Sequence, residues 1–511
     1  MANQPCAVPG IPPVLSTRPL RRTLIATALV AAVLSGCAVG PQFRAPATPE
    51  TGTYLPDALP ATTADAAGTP TGDAQRFLEG TSAPQRWWTT FGSEELDRRV
   101  EQALAHSPTV ASAQAALRQA QENVAAARGS LFPAVDANAG AARSNGLAAG
   151  TPGVSPFTVY NAGVGISYTL DLFGGVRRGV EAQSALADLQ RYQLEGTYLS
   201  LAANVATTSI LEASLREQIR ATEEIVDLYR QQYELTRAQS DIGAKSMADV
   251  LVAQSQMATA SAQLPELRKA LARTQTQLAV YLGRFPSESQ LAALELDAIT
   301  LPADLPVSLP STLVRERPDI RAAEAQLHQA TAQVGIATAN LFPTITLSGS
   351  YGSQATSGGD LFGSGSEAWS LGLNLLQPIF RGGTLRAQKR AAEAGLDRAA
   401  ADYRTTVLTA FQNVADVLRA LELDAAGLRA QAEAEQATRS SLDLVRVQYD
   451  DGAANYLQVI DATRLYQQAR IAVIQARAAR LTNTAALYAA LGGGWRGTDA
   501  SAFADAQTIS N

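Results

Sequence analysis

Residues 157–173 read FTVYNAGVGISYTLDLF, and two chemistries alternate along them. Tyr160, Ala162, Val164, Ile166, Tyr168, Leu170 and Leu172 are apolar or aromatic, whereas Asn161, Gly163, Gly165, Ser167, Thr169 and Asp171 are small or polar. Successive side chains of a strand point to opposite faces, so this segment has one apolar, Tyr-flanked face and one small polar face. A soluble sandwich strand has the same pattern, and one strand decides nothing. The alternation recurs three times, however. Val135, Ala137, Ala139 and Ala141 alternate with Asp136, Asn138 and Gly140. Ile345, Leu347 and Tyr351 alternate with Thr344, Thr346, Ser348 and Ser350, and Trp369, Leu371, Leu373 and Leu375 with Ser370, Gly372 and Asn374. Each run is near the roughly 9–11 residues with which a tilted strand crosses a bilayer, apolar toward lipid and polar toward water. Four transmembrane strands, a fraction of a barrel, are expected.

The strands belong to a duplication. Ser107-Pro108 through Pro133 aligns without gaps to Arg317-Pro318 through Pro343, sharing Leu117/Leu327, Ala120/Ala330, Val124/Val334 and Leu131-Phe132-Pro133/Leu341-Phe342-Pro343. Further on, Gly174-Gly175 matches Gly382-Gly383, Asn204-Val205-Ala206 matches Asn413-Val414-Ala415, and Gly243 matches Gly452. Each copy reads helix, strand, strand, long helix, helix. Prolines at 133 and 343 end a helix and pass the chain into a strand. Long helices are expected from about Val176 to Ser240 and from about Thr384 to Asp450, each reversing at a Gly-containing turn into a shorter helix. Shorter helices at about Glu94–Arg128 and Ser246–Leu282, and at about Pro310–Thr338 and Tyr456–Leu491, sum in each copy to the length of one long helix. Laterally packed antiparallel helices follow, with strands at one end and Gly turns at the other. Abundant Ala lets such helices approach closely.

Outside the repeats, composition narrows the class. A net charge of −6 and a mean hydropathy near zero give no basic footprint for nucleic acid. Arg18, Arg21 and Arg22 precede an apolar run from Leu24 to Leu34, too short for a membrane-spanning helix and fitting a secretory signal. Leu34-Ser35-Gly36-Cys37 resembles the motif of bacterial lipoproteins, which implies removal of residues 1–36 and N-palmitoyl and S-diacylglycerol groups on Cys37. Ala38 stands where an inner-membrane retention signal has Asp, so sorting to the outer membrane is expected. Cys6 lies in the removed segment, leaving no Cys metal site. Residues 37–90 read as an extended arm, with Trp87 and Trp88 packing it onto the body. Residues 91–283 and 311–495 are the two repeats, 284–310 is a Pro-rich connector, and 496–511 is an aperiodic tail.

These residues resemble the outer membrane factor family of TolC-like efflux channels, in its NodT-type lipoprotein branch. The resemblance is carried by Cys37-Ala-Val-Gly-Pro-Gln-Phe, by Trp87-Trp88-Thr-Thr-Phe-Gly, and above all by Leu309-Pro-Ser-Thr-Leu-Val-Arg-Glu-Arg317-Pro-Asp-Ile-Arg-Ala-Ala-Glu324. It spans residues 37 to 495. It implies a homotrimer whose four strands per chain close a 12-stranded barrel in the outer membrane, above a periplasmic tunnel of helices. It also implies docking of the Gly-turn end onto a periplasmic adaptor and an inner-membrane pump of a tripartite, RND-type efflux system.

A conduit needs no catalytic centre, and the sequence offers no nucleophile elbow, phosphate-cradling loop or clustered metal ligands. His106 and His328 are far apart and read as surface or wall residues. The functional end is the pair of turns, Gln239-Ser-Asp241-Ile-Gly243-Ala-Lys245 and Tyr449-Asp450-Asp451-Gly452-Ala-Ala454-Asn-Tyr456. Copies of Asp450 or Asp451, with Asp241, are candidates for an acidic ring selecting cations at the tunnel entrance. Ordinary solvated turn acids are the alternative reading. Many relatives carry an acid two residues after the turn Gly, where this chain has Ala454, so a ring of that particular kind is not expected. Gly243 and Gly452 are assigned to the turn backbone and the adaptor contact. The competing function is a helical periplasmic adaptor or interaction lipoprotein without a pore, which would not need two pairs of lipid-facing strands.

Overall fold

The computed structural model describes residues 38–144, 156–288 and 291–493. Cys6, Cys37, Arg18, Arg21, Arg22 and the tail lie outside those residues, as does most of the loop between the first two long strands. In chain order the first half contains β1 (Arg76–Glu79), α1 (Glu94–His106), α2 (Pro108–Gly129), β2 (Ala134–Ser144), β3 (Phe157–Leu170), α3 (Gly175–Asp241), α4 (Met247–Ser261) and α5 (Gln263–Tyr281). The second half contains β4 (Asp304–Val307), α6 (Pro310–Glu316), α7 (Pro318–Ala339), β5 (Thr344–Ala355), β6 (Glu367–Leu376), α8 (Thr384–Asp450) and α9 (Tyr456–Ala490). The chain divides into two compact units. One takes residues up to Arg44, Glu122–Ser184 and His328–Asp397, and the other takes Ala45–Gln121, Ala185–Leu327 and the chain from Arg398 onward.

Helix boundaries follow local chemistry. Ser93 accepts from Leu96 N at the start of α1, whose first turn carries Glu94, Glu95 and Asp97 against the helix dipole. Three of the four expected short helices are in fact two each, whereas the fourth runs unbroken as α9. Pro108 forces Ser107 into an extended conformation (φ −66°, ψ 126°), and Pro318 does the same to Arg317 (φ −70°, ψ 124°). In the third case Pro265, near the start of α5, lacks the N–H that would continue the helix from α4, and the chain breaks at Ala262.

The first unit holds a four-stranded antiparallel sheet in the order β2-β3-β5-β6. Its strands differ from the expected bounds by a few residues, β3 ending at Leu170 and β6 at Leu376. After β3, Asp171 accepts from Val176 N (3.0 Å) and Arg177 N (2.9 Å), which satisfies donors in the first turn of α3. Phe173 stacks on Phe342, ring centroids 4.7 Å apart.

The second unit is held by helix packing around Trp87, Phe91, Leu96, Ile210, Leu278 and Tyr488, all buried. Trp87 stacks on Tyr488 at 5.4 Å with the rings 14° apart, as expected for a residue fastening the arm. The arm itself is more ordered than its composition announced. β1, within it, pairs in parallel with β4 of the connector, Phe77 opposite Leu305. Four-residue strands show too little alternation to be read from sequence. The fully buried Arg480 of α9 secures the same arm by donating to Thr71 O (2.9 Å), Asp73 O (2.6 Å) and Thr63 Oγ1 (3.0 Å). Burial lowers its pKa from the ordinary arginine value. Tyr54 donates to Ser308 O at 2.9 Å, and burial pushes its phenol up to about 12. A buried ion pair ties α1 to α3: Arg99 reaches Glu212 at 2.7 Å, and Glu212 also accepts from Arg216 and Gln275.

Two outcomes test this packing. Glu212→Ala leaves the Arg99 guanidinium short of its buried partner, and should cost about 3 kcal/mol, the scale on which broken buried ion pairs destabilise, read as a lower thermal midpoint in detergent. Because the folded pKa of Tyr54 is raised, its stabilising contribution is intact below about pH 10 and is lost as pH rises toward 12. Comparing phenolate absorbance titrations of wild type and Tyr54→Phe should remove one tyrosine titrating at that upper end.

Candidate functional site

Registered partners on antiparallel strands lie on the same face of a sheet, so register decides whether four alternating strands make one surface. Here they do. Ala137 is opposite Val164, Val164 opposite Tyr351, and Tyr351 opposite Trp369, a row across all four strands. Parallel rows contain Val135, Ile166, Gly349 and Leu371, then Tyr168, Leu347 and Leu373, then Leu170, Ile345 and Leu375. The other face is polar or small along its middle, with Phe157 and Val159 at the start of β3 and Leu376 at the end of β6 as exceptions. Asp136, Gly165, Ser350 and Ser370 form one row, with the two serine hydroxyls 2.8 Å apart. Thr169, Thr346 and Asn374 form another, with the threonine hydroxyls 3.3 Å apart.

Among the described residues the apolar face is largely uncovered. Trp369, Leu371 and Leu373 are 77%, 75% and 71% exposed. An apolar surface this continuous marks a contact with lipid or protein. Meanwhile β2 and β6 each have a sheet partner on one side only, leaving backbone N–H and C=O groups that hydrocarbon cannot satisfy. With one face apolar and exposed, the other polar, and both edges unpaired among the described residues, the sheet needs further strands to complete it.

Near the sheet, the segment that follows Cys37 is seated by side chains whose role the sequence did not announce. Val39 N donates to Phe173 O at 3.1 Å. Phe43 stacks on His328 at 4.3 Å, and His328 Nε2 lies 2.9 Å from Glu181 Oε1. Burial raises the Glu181 pKa, but Arg178 at 2.6 Å and His328 outweigh it and hold the carboxyl below its ordinary value. His328 is thus a wall residue with a defined pair of partners. Nothing but the spacing of an acid, a base and a ring from three distant segments joins them, which explains why sequence reading passed over the set.

The two turns belong to the second unit. After α3, Gly243 has φ +77° and Ala244 N donates to Gln239 O at 2.8 Å. After α8, Gly452 has φ +75° and Ala453 N donates to Gln448 O at 2.7 Å. No heavy atom would meet a Cβ at either glycine, so the left-handed backbone alone demands the residue. Ser246 and Asp249 form a capping box at the start of α4, and Asn455 and Gln458 form one at the start of α9. Asp241, Asp450 and Asp451 are all exposed. The structure brings the two hairpins together through residues that sequence reading quoted without a role. Lys245 Nζ sits 5.7 Å over the Tyr449 ring, and Tyr449 is 6.2 Å from Tyr456. Tyr456 packs with Ala253 and Ile460, and burial raises its phenol pKa.

The family model for outer membrane efflux proteins matches residues 100–284 and again 309–493, one match per repeat. The chain belongs to the outer membrane efflux protein family. It is 35% identical over 422 residues to the pyoverdine export outer membrane protein OpmQ of Pseudomonas aeruginosa, covering 81% of this chain and 88% of that one. It is 31% identical over 483 residues to the antibiotic efflux pump outer membrane protein ArpC of Pseudomonas putida, covering 93% and 96%. Its fold matches the solved outer-membrane channel OprN with a TM-score of 0.78 at 30% identity, covering 90% of this chain and all of that one. The protein is thus a TolC-like outer-membrane channel of an efflux system, with a periplasmic helical extension. Its lipid and lumen faces are the two faces of the sheet.

Those faces predict opposite tolerances. Leu373→Arg puts a charge into lipid at a cost of about 2–4 kcal/mol and should abolish most heat-modifiable channel in the outer membrane. Ser350→Arg on the lumen face should leave assembly intact and shift conductance instead.

Proposed function

We propose that this efflux channel works as a homotrimer, three four-stranded sheets closing a twelve-stranded barrel, and serves as the exit duct of a tripartite, RND-type system. An inner-membrane pump supplies the energy and a periplasmic adaptor joins it to the Gly-turn end of the helices. The channel itself conducts passively and catalyses nothing. The observation that carries this reading is the register of the sheet, which sorts every strand into one lipid-compatible and one water-compatible face while leaving both edges open. The same observation counts against a pore-less adaptor, which has no use for an exposed apolar sheet.

Cys37 anchors the chain in the outer membrane through N-palmitoyl and S-diacylglycerol groups. The Leu-Ser-Gly-Cys motif supports this, as does the seating of Val39 and Phe43 close after it. Gly243 and Gly452 shape the turns that meet the adaptor. Asp450 and Asp451, with Asp241, are exposed on those turns and ring the entrance as a cation filter.

Purified lipidated protein in planar bilayers should conduct as a trimer, with a preference for cations. A chain that remains monomeric and gives no conductance would overturn the channel reading. Asp450→Ala combined with Asp451→Ala should weaken the cation preference severalfold, and unchanged selectivity and conductance would reject the filter alone.

A further inference from the structure

Residues 38–43, which follow Cys37, cross helices of both repeats. Val39 N donates to Phe173 O just ahead of α3, and Val39 O accepts from Arg178 Nε of α3 at 3.3 Å. Gly40 then passes α7 so closely that a Cβ on it would lie 2.6 Å from the Gly335 Cα. A Cβ on Gly335 would lie 2.9 Å from the Arg178 side chain. Phe43 ends the crossing on the His328 ring of α7, the two planes 17° apart. The segment is a strap between the two copies, held at one end by backbone fit and at the other by a ring stack.

The two holds answer differently to protons. Arg178 is buried and always charged, so its bond to Val39 O is constant. The His328 side chain is 31% exposed, and histidines change charge between about pH 5 and 8. Neutral, it gives Phe43 a ring to stack on and Glu181 one hydrogen bond. Protonated, it sets a cation against the Phe43 face and forms an ion pair with Glu181 Oε1 at 2.9 Å. Phe43 also takes water from the ring, and Glu181 supplies the counter-charge that makes a covered cation tolerable. Burial pushes the Glu181 carboxyl up, but Arg178 and His328 outweigh it and hold the group below its ordinary value. Arg178 takes the other oxygen, Oε2, at 2.6 Å, so the two cations share one carboxylate. Glu324, one turn earlier on α7, is engaged by Arg321, and Arg44 beside Phe43 is exposed.

We propose that His328 makes the strap a pH-sensitive clamp across the two repeats. A seated strap gives protonated His328 the Phe43 ring and the Glu181 carboxylate together, whereas a lifted strap leaves only the carboxylate. Seating is therefore favoured at the acid end of the histidine range and weakens as pH rises through it. Only the Phe43 end responds. Arg178 and the Gly40–Gly335 fit keep the other end in place, so the strap loosens without leaving. The clamp requires neither the trimer nor the acyl groups of Cys37, and so stands apart from the transport reading.

The test uses the full-length chain in outer-membrane vesicles with a nitroxide on Gln42→Cys, an exposed position of the strap. The chain without that substitution sets the background, since the native thiols are confined to Cys6 and Cys37. Between about pH 8 and about pH 5.5, which bracket histidine titration, the mobile fraction of the spin-label spectrum should fall severalfold. His328→Gln keeps a hydrogen-bonding side chain that cannot be charged, and should abolish the fall. Glu181→Gln leaves the covered cation without its counter-charge, and should abolish it too. A mobile fraction that does not change with pH in the labelled parent, or a fall that persists undiminished in either variant, overturns the clamp. Should both variants fail to assemble, Phe43→Leu removes the stacked ring and leaves the His328–Glu181 pair in place. It should flatten the same profile, and an undiminished fall there overturns the clamp equally.

Discussion

A peptide group in hydrocarbon has no water to bond to, and the consequences of that deficit run through the whole of the first unit. The four-stranded sheet satisfies its interior strands and leaves β2 and β6 half bonded. No rearrangement of side chains removes this debt. Only further strands do. The alternation of apolar and small polar residues matters because it makes the closed product stable in two solvents at once. Leucines and a tryptophan face lipid, while serines, threonines and glycines face a lumen. Small residues on the inner face also keep that lumen open, since a barrel of this size would be choked by bulky ones.

The second unit solves a different problem. Its long helices pack through Ala and through buried residues such as Leu194, Val205 and Ile210 of α3 and Val414, Leu418 and Leu421 of α8, and that packing needs specificity as well as area. Buried polar contacts supply part of it. Arg480 ties α9 to backbone carbonyls of the arm, and Arg99 and Glu212 tie α1 to α3. Such contacts add little net stability compared with apolar substitutes, but each is costly to leave half made. That asymmetry defines one way for the arm and the connector to lie against the helices. The β1–β4 pairing then joins arm and connector directly.

At the turns, backbone geometry dictates residue type. Gly243 and Gly452 are required by left-handed φ values and not by crowding, which leaves the surrounding surface free to be shaped for contact. Lys245, Tyr449 and Tyr456 hold the two hairpins to one another, so the exposed acids of the turns are presented by a packed platform and not by separate loops.

Sequence alone determined the strand faces, the duplication, the long helices and the turn glycines, because each is written in a local period or in a residue that only one backbone conformation requires. The family resemblance added the outer-membrane channel and its place in efflux. What local pattern cannot encode is which distant residues meet. The breaks at Ser107 and Arg317 were legible in their prolines and were nevertheless read through, whereas the β1–β4 pairing, the Arg480 clasp and the Phe43–His328–Glu181 set join segments separated by hundreds of residues. Only the tertiary structure decided the register of β3 on β5, and with it the merging of four striped strands into one apolar wall. A shift of one residue there would have left every strand's pattern unchanged and destroyed the surface they share.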